Sequence, residues 1–225
     1  MPFQSQTIPR RTVMSHEYGD GAGPPDKPRL IIGVTGASAP HLAIHLLTAL
    51  ARLNIVETHL VVSRAAHRTL ELEAGLRADD LAGLADVYHQ RGDIAATIAS
   101  GSFLTMGMVV VPCSMKTLAG IAHGYSEDLL TRAADVCLKE RRRLVLVTRE
   151  TPLSLVHLRN MTAVTEAGAT VLPPMPAFYQ RPASIEDLLA HVSGKILDQF
   201  GIEHELSPRW RGAGSATQLT GGMVR

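Results

Sequence analysis

The residues of this chain best suited to chemistry are hydroxyls, glycines, cations and one carboxylate, gathered in short groups along the sequence. Gly33-Val-Thr-Gly-Ala-Ser38 offers free backbone N–H groups, and Gly36 lets a phosphate approach the backbone closely. The same stretch can serve as an ordinary tight turn between a strand and a helix, and it is not the GxGxxG of dinucleotide sites. Ser63-Arg64 lacks the acidic residue that holds the ribose of NAD, which disfavours NAD and leaves NADP open only through Arg64. Ser114-Met115-Lys116-Thr117 can give hydroxyl and N–H donors to a phosphate or a ring carbonyl. Alternatively Ser114 caps a helix and Lys116 lies in solvent. Arg132 and Lys139, seven residues apart, share one helix face. With Arg149 and Glu150 they form the most chemical cluster, because a carboxylate among cations can pass a proton to a leaving phosphate. Arg141 to Arg143 read instead as a solvated helix end favoured by the dipole.

Two other groups carry less. His41 and His45 have the i, i+4 spacing of a metal-binding helix, but HExxH and a third ligand are missing, so no metal is expected. Cys113 reads as a buried small hydrophobe rather than a nucleophile. Together with Cys137 it makes no CxxC redox or zinc motif, and reduced thiols in a cytoplasmic protein are the simplest reading.

Composition bounds the function classes. The 225 residues suffice for one sizeable α/β domain or two very small ones; 45% are hydrophobic and 19% charged, as in ordinary soluble proteins. A net charge of +1 gives no general field for nucleic acid or an acidic membrane, so any anion site must be local. No stretch approaches the ~18 apolar residues of a membrane span. Residues 1–28 hold no apolar run of secretory length and read as a flexible tail, within which Met14 is a second candidate start. Residues 212–225 read as a second flexible tail, with little to bury and much backbone entropy to lose.

Between the tails, short β-branched runs alternate with helical patterns. Strands are predicted at 30–35, 58–62, 106–111 (closed by Pro112), 143–148 and 169–172. Helices are predicted at 41–52, 64–74, 153–167 (stopped by Gly168) and from Ser184 to about Gln199. A further one opens at Ser126 and runs to about Glu140, with Glu127 and Asp128 in its first turn. The alternation implies a single Rossmann-like three-layer α/β domain over 29–211, with a mostly parallel sheet and helices on both faces. In that architecture ligands sit beyond the C-terminal strand ends, where the groups above are gathered.

Pro112-Cys-Ser-Met-Lys-Thr-Leu118, the run from Arg132 to Leu153, and Pro173-Pro-Met-Pro-Ala-Phe-Tyr-Gln-Arg-Pro182 closely resemble the UbiX/Pad flavin prenyltransferases. The likeness extends from Arg29 to Trp210, 182 of the 225 residues. It implies a Rossmann-like homo-oligomer, usually a dodecamer, with sites shared between subunits. Members take reduced FMN and dimethylallyl phosphate, alkylate flavin N5 and close a ring at C6, and the prenylated FMN serves a UbiD-type decarboxylase. By matching position, Gly36, Ala37, Ser38, Ser63, Ser114, Met115, Lys116, Thr117 and Arg149 should hold FMN. Lys139, Tyr179 and Lys195, with Arg132 nearby, should hold the prenyl phosphate. Glu150 fits the acid for the leaving phosphate, Ser38 lies near N5, and Glu73 matches a glutamate that assists ring closure. The chain departs from the family where Ala39-Pro40 replaces a glycine and where a Tyr-Gly following that glycine is replaced in the Leu42-Ala43 region. It also departs at Lys195, where arginine is usual. Two alternatives stay open beside prenyl transfer: a flavin-dependent cysteine decarboxylase, and a non-catalytic FMN carrier.

Overall fold

The computed structural model describes residues 27–210; the expected tails therefore lie outside the described residues, apart from residues 27 and 28. Six parallel strands make one sheet in the order β3-β2-β1-β4-β5-β6. They are β1 (Arg29–Val34), β2 (Glu57–Val62), β3 (Val87–His89), β4 (Gly107–Cys113), β5 (Arg143–Thr148) and β6 (Thr170–Val171). Among the described residues the helices are α1 (His41–Leu53), α2 (Arg64–Thr69), α3 (Ala78–Ala82), α4 (Met115–Ala122), α5 (Leu129–Lys139), α6 (Leu155–Glu166) and α7 (Ile185–Gln199).

The strands are apolar on both faces because both faces are covered. Leu30, Ile32 and Val34 of β1, with Val109, Val111, Val145 and Val147, pack against Leu46 and Leu50 of α1 and Ile196 of α7. The alternate residues Ile31, Met108, Val110, Leu144 and Leu146 face Leu118 of α4, Leu130 and Ala134 of α5 and Val164 of α6. Each fully buried aliphatic side chain contributes roughly 1.5–3 kcal/mol relative to exposure. Gly33 of β1 has no side chain because a Cβ there would meet Met108 Cε at 2.9 Å.

Several boundaries differ from the sequence reading. The run after Ser63 leaves α-helical geometry at Leu70, where a π-turn (Leu70–Ala74) ends at Gly75 with φ 65°. Pro112 does not close its strand: β4 continues to Cys113, with a register shift between Val110 and Cys113 absorbing the missing N–H. The long helix opens later than Ser126, because Asp128 is its N-cap and accepts from Thr131 N at 3.1 Å. Glu127 and Asp128 therefore precede the first turn. The edge strand β3 and the five-residue α3 were not anticipated; three residues carry too little periodicity to be read.

Chain order reverses between β1 and β4: β2 and β3 extend one way from β1, and β4 to β6 the other. The crevice above that point is bounded by the loops that follow β1, β2 and β4.

Candidate active site

One buried hydroxyl ties the crevice together. Thr35 Oγ1 donates to Pro112 O at 2.7 Å and accepts from Ser114 N at 2.8 Å, joining the loops after β1 and β4. Ser63 N donates to Val34 O at 2.9 Å, and Arg149 N to Cys113 O at 3.1 Å. Four strand ends are thus fixed to one another by their backbones and the Thr35 hydroxyl. Thr35 belongs to the Gly33–Ser38 stretch that the sequence marks, but its bridge to the loop after β4 has no signal in spacing.

The two serines at the rim cap helices. Ser63 Oγ accepts from Ala66 N, and Ser114 Oγ accepts from Thr117 N, each at 3.3 Å. Capping is thus the local role of Ser114, and Lys116 extends outward to Glu127 at 3.6 Å. Gly36 is required by space rather than by backbone angle: a Cβ there would lie 2.3 Å from Ala65 Cβ and 2.9 Å from its carbonyl carbon. These loops enclose a cavity of about 560 Å³ lined by Gly36, Ser63, Ser114, Lys116 and Thr117 of the expected set, a size suited to a small-molecule site. Arg64, Ala65, Arg91, Tyr125, Glu127 and Asp128 also line it. Arg91, which faces Asp128 at 3.8 Å, and the Tyr125–Asp128 stretch were missed, since nothing in their spacing marks them.

At the edge of this loop, Glu73 accepts from Ser38 Oγ and from Ala39 N, both at 2.9 Å through Oε2. The π-turn that interrupts the helix carries this carboxylate. Ala39 itself sits at φ 71°, a left-handed conformation that costs an L-residue roughly 1–2 kcal/mol. The glycine usual at this position would carry no such strain.

The remaining expected residues lie outside the cavity lining. Glu150 is exposed just beyond β5, its Oε1 accepting from Thr151 N at 3.1 Å. Arg132 donates to Ala99 O at 3.2 Å and pairs with Asp135 at 2.7 Å. Lys139 pairs with Glu140 at the C-terminal end of α5, and that contact draws the Glu140 carboxyl below its usual range. The expected cluster of Arg132, Lys139, Arg149 and Glu150 is therefore not assembled within one chain. The helix α5 runs antiparallel to the strands and brings Lys139 to the start of β5, whereas Glu150 follows its end, about 20 Å away along a six-residue strand.

Tyr179 and Lys195 make a third region around α7. Tyr179 sits edge-on to His191 at 6.3 Å and to Trp210 at 5.4 Å. Burial, and then the charge of Lys195, hold the His191 imidazole below its ordinary value. Lys195 reaches Asp198 at 3.7 Å.

His45 turns its nitrogens to Ser193 at 2.8 Å and Glu186 at 3.4 Å. Among the described residues no group of three or more potential metal ligands occurs. Burial pushes the Cys113 and Cys137 thiols up to about 12, so both remain protonated small hydrophobes. No helix is long and apolar enough to cross a membrane, again among the described residues.

Residues 22–197 match the model of the family described as Flavoprotein. The chain is 54% identical over 187 residues to the flavin prenyltransferase UbiX of Escherichia coli (strain K12), covering 82% of this chain and 99% of that one. A crystal structure of AnUbiX in complex with FMN and dimethylallyl pyrophosphate superposes with a TM-score of 0.81 at 52% identity, over 83% of this chain and 98% of that one. A dodecameric FMN-dependent UbiX-like decarboxylase from Escherichia coli O157:H7 gives a TM-score of 0.80 at 55% identity, over 82% and 100%.

Proposed function

Because the chain belongs to the flavoprotein family and, within it, to the UbiX flavin prenyltransferases, we propose that it transfers a dimethylallyl group from dimethylallyl phosphate to N5 and then C6 of reduced FMN. The chain is a prenyltransferase acting on FMN; the monophosphate donor, the two bond positions and the residue roles are the parts proposed. The observation that supports a flavin site here is the cavity of about 560 Å³ at the sheet's reversal point, lined by Gly36, Ser63, Ser114, Lys116 and Thr117.

Gly36, Ala37, Ser38, Ser63, Ser114 to Thr117 and Arg149 bind FMN, with capped helix ends directing N–H groups toward the phosphate. Reduced FMN supplies the nucleophilic nitrogen: its N5–C bond forms as the donor's C–O bond breaks, phosphate leaves with the electron pair, and N5 gives up its proton. In ring closure the allyl double bond takes up a proton, C6 bonds to the resulting tertiary carbon, and C6 then loses its own proton. Glu150 delivers the proton that phosphate then takes. Lys139, Tyr179 and Lys195, with Arg132, stabilise the leaving charge, and exclusion of water strengthens that effect. Ser38, hydrogen-bonded to Glu73, places a hydroxyl and a carboxylate beside the flavin for ring closure.

The separation of Lys139, of the Tyr179–Lys195 region and of the cavity supports a site completed by neighbouring copies. We read the assembly as a dodecamer, as in the UbiX-like relative. Exposed Leu153, Leu155 and Val156 next to Glu150, and Met175 and Phe178 next to Tyr179, are apolar surface that such contacts would cover. Residues 29–211 form the flavin-binding domain, the product serves a UbiD-type decarboxylase, and the protein works in the cytoplasm. The test is anaerobic incubation with reduced FMN and dimethylallyl mono- or diphosphate. Released phosphate and a flavin heavier by one C5 unit are expected. Bound FMN that never gains the C5 unit with either donor sinks the proposal.

A further inference from the structure

Residues 203–210 do not trail away from the domain but fold back along α7. His204, whose side chain is almost fully buried, lies 3.3 Å from Asp198 Oδ1 through Nε2. Arg209 Nη2 donates to the same oxygen at 2.8 Å. Lys195 Nζ stands 3.7 Å from the other oxygen of that carboxylate. The segment can lie this close because residue 194 is glycine: a Cβ there would meet His204 Cε1 at 2.7 Å. At its far end, Gln180 Nε2 donates to Pro208 O at 2.6 Å, and the Trp210 indole meets the Tyr179 ring at 82°. Burial opposes ionisation of Asp198, yet the hydrogen bond and charge of Arg209, with His204 and Lys195, hold its carboxyl below the usual range.

We propose that Asp198 is a positioning residue for the prenyl-phosphate end of the site, its carboxylate fastening residues 203–210 to α7 so that Trp210 stands against Tyr179 and Lys195 is aimed beside it. The inference rests on the reading above that Tyr179 and Lys195 receive the prenyl phosphate. Asp198 itself does not touch substrate. One carboxylate holds both the cation on the helix and the strap that orders the tyrosine, so the two are positioned together. Charge-assisted contacts of this kind are the strong ones.

The test compares wild type with Asp198→Asn in the full-length protein. The apparent KM for dimethylallyl phosphate should rise about tenfold, the scale of one lost charged hydrogen bond, with kcat and FMN affinity nearly unchanged. Trp210 is the only tryptophan of the chain, so a fall in its fluorescence anisotropy reports release of the strap without reference to turnover. Arg209→Ala should reproduce both effects and Arg209→Lys should partly restore them, which keeps the test open should Asp198→Asn fold poorly. Normal prenyl transfer with unchanged KM and anisotropy in the variants overturns this inference alone, as does an equal loss of FMN and prenyl-phosphate binding. A wild-type protein that transfers no prenyl group overturns instead the functional reading beneath it.

Discussion

The loops over β1, β2 and β4 and the residues around α5 and α7 are held in different ways. In the first region nearly every contact ends on backbone: the Thr35 hydroxyl bridges Pro112 O and Ser114 N, and the Ser63 and Arg149 amides bond to neighbouring strand ends. In the second, Lys139, Tyr179 and Lys195 are surface side chains held by one or two partners each, Glu140, Trp210 and Asp198 among them. A chain that fixes this crevice through its own contacts can build that half alone. Side chains left at the surface become a site only where something else, such as a neighbouring copy, meets them.

The largest expected effect lies in the fixed region. Gly36→Val places side-chain carbons where even a Cβ falls 2.3 Å from Ala65, and overpacking of this kind costs about 1–3 kcal/mol or more. Titration of the purified variant with FMN should show no saturable binding while the rest of the fold persists by circular dichroism. FMN binding close to wild type would move the flavin away from this loop.

Glu150→Gln probes the boundary between the regions, since the residue follows β5 yet is exposed. FMN binding should be preserved and prenyl transfer slowed by roughly 100-fold, the usual scale for loss of a general acid. A single-turnover rate near wild type would remove Glu150 from the mechanism. Lys195→Ala tests the second region by itself. We expect the apparent KM for the prenyl phosphate to rise about tenfold with little change in FMN affinity, and equal changes in both would dissolve the distinction between the two regions.

The same contrast explains what the sequence made legible. Alternating apolar runs placed five of the six strands, because strands buried on both faces leave few alternatives. Ser184 reads as a helix cap from its residue type alone and is one, accepting from Asp187 N at 3.1 Å. Gly36, Ser63 and Ser114 were legible as a crevice because each follows a strand. The separation of Lys139 from Glu150 within one chain was not legible, for the opposite reason. Helical spacing fixes which face a residue shares, but the direction in which the helix returns decides which end of the sheet it reaches. Arg91 and Asp198 were invisible, since their meaning comes from partners across tertiary contacts.

The smallest effect sharpens the comparison most, because it concerns strain within the rigid region. Ala39 holds φ 71° while its N–H is spoken for by Glu73 at 2.9 Å. Glycine adopts that angle without the clash between Cβ and the carbonyl. Removing the methyl should therefore stabilise the folded protein, offset in part by the greater freedom of glycine in the unfolded chain. The expected net gain is about 0.5–1 kcal/mol, seen as a melting temperature higher by roughly 1–4 °C in a chain of this size. The Glu73 contact uses the backbone N–H, which glycine keeps, so FMN affinity should be unchanged or slightly better. Were Ala39→Gly instead to lower both stability and FMN affinity, the methyl would have to be making contacts that outweigh the strain. The loop would then be built around Ala39 and Pro40, not merely tolerant of them.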